Sequence, residues 1–174
     1  MHRPACTIEH LVTSHYQSVY RYAVRLAGVP GDAEDLTQEA YRIAHEKLHQ
    51  LRDADRARPW LFSIVRNLFL LAGRQRQRGG WVSLDDVEAP SAPPPPLEAV
   101  DPAELQQALN DLPEEFRTPL ILFYFDECSY RDIADQMQVP LGTVMSRLAR
   151  GKAYLRRRLV PLEAAQTGTV CDGM

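Results

Sequence analysis

Pro93 to Pro96 are four prolines in succession. No helix or central strand runs through such a stretch, because each proline removes a backbone donor and fixes φ. Around them, Gly79 to Asp101 holds Gly79-Gly80, a further proline at Pro90, five acids (Asp85, Asp86, Glu88, Glu98, Asp101) and no base. This composition marks a linker over 79–101 and divides the 174-residue chain into a unit at 1–78, a unit at 102–160 and a tail at 161–174. Roughly 22 linker residues in polyproline II reach on the order of 65 Å. A docking ligand for a proline-binding domain is the sharper alternative, and a plainly solvated acidic tether the blander one.

Both units show helical periodicity and neither shows strand alternation, so the expected class is all-α, two small helical domains. Ile8, Leu11, Val12, Tyr16, Val19, Ala23 and Leu26 recur on one face and stop at Gly28 and Pro30. Asp32 is expected to cap a second helix to about His49, with Leu36, Ala40, Ile43, Ala44 and Leu48 inward. A third helix opens near Pro59 and runs to about Arg78, with Leu61, Ile64, Val65, Leu68, Leu71 and Ala72 as its core stripe.

Beyond the linker, Asp101-Pro102-Ala103-Glu104 opens a helix that turns Leu105, Ala108, Leu109 and Leu112 inward. Pro113 restarts the chain into a helix burying Phe116, Leu120, Ile121 and Tyr124. Ser129-Tyr130-Arg131-Asp132 caps a short helix, Gln138-Val139-Pro140 turns the chain, and a long helix follows to about Leu159. That order spells helix-turn-helix.

Charge is distributed against the bulk. The net charge is -3, yet Arg56, Arg58, Arg66, Arg74, Arg76 and Arg78 lie in one acid-free stretch, and Arg147, Arg150, Lys152, Arg156, Arg157 and Arg158 in another. Two local basic fields suit two contacts with one polyanion. At 100° per residue, Leu141, Val144, Leu148, Leu155 and Leu159 form the expected buried stripe of the last helix. Thr143, Ser146, Arg147, Arg150, Tyr154 and Arg157 fall opposite, as groups that hydrogen-bond bases or pair with phosphates. A solvated face is the alternative, though such faces usually mix signs. On the third helix Trp60, Asn67, Arg74 and Arg78 align, a set able to stack a base, bond its edge and hold phosphates. For a lone Trp, burial in the core is the simpler role.

Several classes are disfavoured. No run approaches 18 consecutive apolar residues and Met1 to Glu9 lacks a leader pattern, so no membrane insertion is expected and the cytoplasm is the expected compartment. Cys6, Cys128 and Cys171 are too few and too scattered for a disulfide framework. No nucleophile elbow, phosphate-cradling loop or catalytic metal spacing appears, so neither an enzyme nor a cofactor is expected. His2, Cys6 and His10, at i, i+4 and i+8, remain a candidate zinc or copper site of a metal- or redox-responsive factor if that segment is helical.

Three motifs in series resemble those of bacterial sigma factors of the extracytoplasmic-function class: Asp32 to Ala40, Pro59 to Asn67, and Ser129 to Ala134 with Pro140 to Gly151. The similarity runs from about Leu11 to Arg78 and from Leu105 to Leu159. It implies a promoter-specificity subunit that binds RNA polymerase core and promoter DNA, and an anti-sigma protein as a partner. By this resemblance Asp35, Leu36, Gln38 and Glu39 contact the polymerase, and the first unit opens and reads the minus-ten element through Asn67 and a pocket walled by Leu51 to Arg58.

The resemblance also implies that Ser146 and Arg150 read bases of the minus-thirty-five element, with Thr143 and Arg147 on the backbone. Met145 and Ala149 stand where relatives often carry larger or charged readers. Elements about 16 to 17 base pairs apart are separated by roughly 55 Å, within the linker's reach. A stand-alone helix-turn-helix regulator is the alternative that accounts for residues 105 to 159 only.

Overall fold

The computed structural model describes residues 7–76 and 100–159, with side chains omitted for 74–76. The expected linker, apart from Val100 and Asp101, lies outside the described residues, as do the tail, His2, Cys6 and Arg78. Among the described residues there are seven α-helices, two short 3-10 turns and no strand, as the periodicity requires.

The first half is a three-helix unit. Helix α1 (Ile8–Ala27) is capped by Thr7, whose hydroxyl accepts from the His10 amide, and ends at Gly28 with φ of 78°. That left-handed turn needs glycine, and the Asn110 amide occupies the space a Cβ would take, 2.2 Å from its ideal position. Helix α2 (Pro30–Glu46) opens two residues before the expected Asp32 cap. Proline's fixed φ suits the first helical turn, where a missing N–H costs nothing, so extended Val29 becomes the N-cap. The helix also stops short of His49, passing into a 3-10 turn at Leu48–Gln50. A second 3-10 turn, Ala54–Arg56, is capped by Asp53 and leads into α3 (Ala57–Arg76).

Several apolar residues sit differently from their wheel positions. Val12 and Tyr16 of α1 are exposed, because its inward face centres on Leu11, Val19, Tyr22, Ala23 and Leu26. Tyr16 instead stacks beside Tyr20 and Tyr41, with ring centroids 6.3 and 6.1 Å away. Leu71, expected in the core, is 58% exposed, whereas Phe62 is buried and stacks on Tyr22 at 4.4 Å. Helix α3 packs against α1 and α2 and also against the second half, so its buried arc is wider than one stripe where those neighbours cover it.

The second half comprises α4 (Pro102–Asn110), α5 (Glu114–Tyr124), α6 (Tyr130–Met137) and α7 (Leu141–Leu159). Asp101 caps α4 by accepting from the Ala103 amide, as its sequence predicts. Helix α5 is the central element, burying Phe116, Leu120, Ile121 and Leu122, while Tyr124 is only half-buried. A Cβ on Gly151 of α7 would lie 2.8 Å from a Leu120 methyl, so glycine lets α7 seat directly on α5. Leu141 is 42% exposed, which removes it from the predicted buried stripe: it stands at the open end of α7, ahead of the turn that Val144 buries.

The halves do not form two separate cores. Their buried apolar residues form one contiguous cluster, with α1 against α4 and α5, and α3 against α6. Ionic contacts reinforce the seam. Arg66 of α3 pairs with Glu114 of α5, which also accepts from the Thr118 hydroxyl at 2.7 Å. Arg58 pairs with Asp126 at 2.6 Å. Arg117, buried, donates to the carbonyls of Leu26 at 2.5 Å, Asn110 at 2.6 Å and Leu112 at 2.9 Å, joining the end of α1 to the α4–α5 turn. Long-range charge placement of this kind has no periodicity for a sequence to display.

Candidate nucleic-acid interface

The helix-turn-helix is built by local rules. Ser129 and Asp132 form a reciprocal capping box at the start of α6. Gln138 adopts the left-handed conformation (φ 55°) that ends it, with the Val139 amide bonded to the Ala134 carbonyl at 3.1 Å. Pro140 then cannot continue α6, and its carbonyl accepts the Thr143 amide at 2.9 Å to start α7. Ile133, Met137, Val144 and Leu148 are buried and lock α6 to α7. The α7 opening is thereby presented outward as a rigid element.

The outward face is turned roughly 70° round the helix from the predicted arc, at about 100° per residue. Gly142, Met145, Ser146 and Arg150 are exposed over the first half of α7, and Arg157 over the second. Arg150 and Arg157 have no ion-pair partner among the described residues, so both guanidiniums are available to an anion. The Ser146 hydroxyl donates to the Thr143 carbonyl at 3.0 Å and keeps its lone pairs toward solvent. Thr143, half-buried, lies beside it.

Arg147 is on the flank rather than the face. It pairs with Glu115 of α5 at 3.0 Å. Tyr154 similarly points its hydroxyl to Asp111 at 3.4 Å, and burial pushes that phenol's pKa up. Lys152 lies over the rings of Phe123 and Tyr124, and burial lowers its pKa. These three tie α7 to its own unit. The residue the wheel missed is Met145, 52% exposed beside Ser146.

On α3, Trp60 and Asn67 are two turns apart on one side. Asn67 is exposed, whereas Trp60 is half-buried against the core, so the ring serves packing along at least one face. Arg74 lies on α3, with its side chain outside the description, and Arg78 lies outside the described residues. Two other arginines of the first basic stretch, Arg58 and Arg66, are engaged by Asp126 and Glu114 of the second half. Burial raises the Asp126 pKa against the lowering influence of Arg58.

Helix α2 presents Asp35 and Gln38 to solvent, while Leu36 is turned partly into the core. Glu39 holds Arg42 through two bonds of 2.6 and 2.9 Å, which keeps the carboxyl below its usual pKa, and Arg42 reaches on to Glu46 at 2.5 Å. The face is polar and prearranged. Of the metal candidates only His10 is described, and it is exposed; no group of three potential ligands occurs among the described residues. No helix among them is long and apolar enough to cross a membrane.

Family comparisons match both halves. Residues 11–79 match Sigma-70 region 2, and residues 103–155 match Sigma-70, region 4. The chain belongs to the extracytoplasmic-function sigma factors. It is 38% identical to the ECF RNA polymerase sigma factor SigE of Mycolicibacterium smegmatis over 85% of its own length, and spans 60% of that relative. It is 33% identical to the ECF sigma factor SigL of Mycobacterium tuberculosis, over 91% of this chain and 92% of SigL. In fold it resembles the sigma factor RpoE of Bartonella quintana, solved in complex with the anti-sigma factor NepR. There the TM-score is 0.67 at 26% identity, covering 86% of this chain and 94% of that one. Sigma factors are promoter-specificity subunits of bacterial RNA polymerase, and this sigma factor directs transcription initiation in that role. The match at 11–79 accounts for the half that a stand-alone helix-turn-helix regulator leaves unexplained.

Proposed function

We propose that this sigma factor is a non-catalytic subunit acting in the cytoplasm, with α7 reading the minus-thirty-five duplex and α3 the melted minus-ten strand. The observation that carries the reading is the acid-free outer face of α7, where Ser146, Arg150 and Arg157 are exposed on a rigid helix-turn-helix. In this reading Ser146 and Arg150 meet base edges and Arg157 meets phosphate; their exposure supports it. Thr143 and Arg147 serve the backbone, Arg147 only once DNA phosphate displaces Glu115. Trp60, Asn67, Arg74 and Arg78 serve the minus-ten strand. Asp35, Gln38 and Glu39 form the polymerase contact, with Leu36 shaping the helix beneath them. The domain division at 1–78, 79–101, 102–160 and 161–174 lets the linker tether the two readers once the seam between the halves, with its Arg66–Glu114 and Arg58–Asp126 pairs, has parted on promoter binding. An anti-sigma protein is the expected partner, because the structural relative was solved with one.

Holoenzyme binding on variant promoters tests the assignment. Arg150→Ala is expected to lower affinity about 10-fold or more at one base position and to relax preference there. Arg157→Ala is expected to weaken binding evenly on all sequences and to reduce the salt slope by about one. Equal loss on every sequence for Arg150→Ala removes that residue from base readout.

A further inference from the structure

Leu141, Met145 and Ala149 follow one another at four-residue spacing along one edge of the exposed face of α7. Leu141 is 42% and Met145 52% exposed, two of the seven large apolar side chains left exposed among the described residues. None of the three can donate a base-specific hydrogen bond. They border Ser146 and Arg150, which can. An isolated exposed methionine needs no explanation, but two large apolar chains one turn apart, at the leading end of a helix presented to DNA, do. Neither supports the fold from that position, since Val144 and Leu148 supply the contact with α6.

The major groove carries one apolar group, the C5-methyl of thymine. Opposite a purine edge or the cytosine amino group, the Met145 thioether would strip water from a base donor or acceptor and replace none of its hydrogen bonds. Methionine is unbranched and polarizable, so it can reach such a methyl without repositioning the helix. Leu141, one turn ahead, extends the same apolar strip. Resting on the reading of α7 as the minus-thirty-five reader, we propose that Met145 contacts a thymine methyl there and sets a thymine preference at the position it faces.

Deoxyuridine differs from thymidine only by that methyl, which makes the test a single-group deletion. Holoenzyme assembled from core polymerase and the full chain selects its upstream element from a randomised pool, and each thymine of the selected element is then replaced singly by deoxyuridine. At fixed salt, one or two replacements are expected to weaken wild-type binding about fourfold, the equivalent of one buried methyl group. With Met145→Ala the same replacements are expected to carry no penalty, while the variant melts at the wild-type temperature. Sequence selection in which no deoxyuridine matters, a selected element without thymine, or an equal penalty in Met145→Ala overturns the proposal alone. A holoenzyme that selects no upstream element overturns the promoter reading of α7 and the proposal with it.

Discussion

Replacing Glu114 by Gln is the sharpest probe of how the two halves are held together. Glu114 keeps Arg66 of the other half company where the side chains are only 10% and 17% exposed, and it also accepts from Thr118. The Gln side chain conserves volume and the Thr118 bond but leaves the Arg66 guanidinium largely out of water without its counter-charge. Losing one partner of a fully buried pair costs about 3–5 kcal/mol. Arg66 keeps some solvent contact, so the lower part, about 2–3 kcal/mol, is expected. In Arg66→Met with Glu114→Gln neither charge remains, and the pair of changes is expected to cost only about 0–1 kcal/mol beyond lost packing. Arg66→Met alone strands the Glu114 carboxylate and adds its own cost, so the coupling in a double-mutant cycle is then at least about 2 kcal/mol. Urea unfolding of the full chain reads all four forms at constant m-value, against a total stability of about 5–15 kcal/mol. A coupling below about 0.5 kcal/mol refutes the reasoning, because residues on α3 and α5 interact only if the halves sit together in solution.

Two further outcomes follow from the same geometry. Burial, followed by the nearby Asp126 charge, pushes the Cys128 thiol from its ordinary 9.0 up to about 11. Its thiolate fraction at pH 8 is then about a hundredfold below that of a free thiol, and iodoacetamide should label it correspondingly slowly in a Cys6→Ser, Cys171→Ser background until urea unfolds the chain. Since the folded pKa is the higher one, this stabilising contribution is complete below about pH 9 and is lost as pH rises through about 11. Gly28→Ala should destabilise by about 1–3 kcal/mol, since φ of 78° strains any Cβ and the Asn110 amide must move aside. A thermal melt unchanged from wild type would show that the α1–α2 turn relaxes freely.

Much of the fold was legible because it obeys local rules. The capping box at Ser129 and Asp132, the Asp101-Pro102 start and the Gly28 stop each need only neighbours in sequence, and each helix lies near its expected place. Errors arose where a distant element decides burial. Tyr41, Phe62 and Thr118 are buried because other helices cover them, and Val12, Tyr16, Leu71 and Leu141 are exposed because none does.

For the interface, the chain alone determined that two helical units, each holding an acid-free basic stretch, flank a proline-rich break and that a helix-turn-helix closes the second. Tertiary structure decided which arginines remain available. Arg58 and Arg66 face acids of the opposite half and Arg147 faces Glu115, while Arg150 and Arg157 stay open on α7. The physical reason is that helix type and termini follow from hydrogen bonds a few residues long. The partner of a charge is fixed by packing between segments that are tens of residues apart.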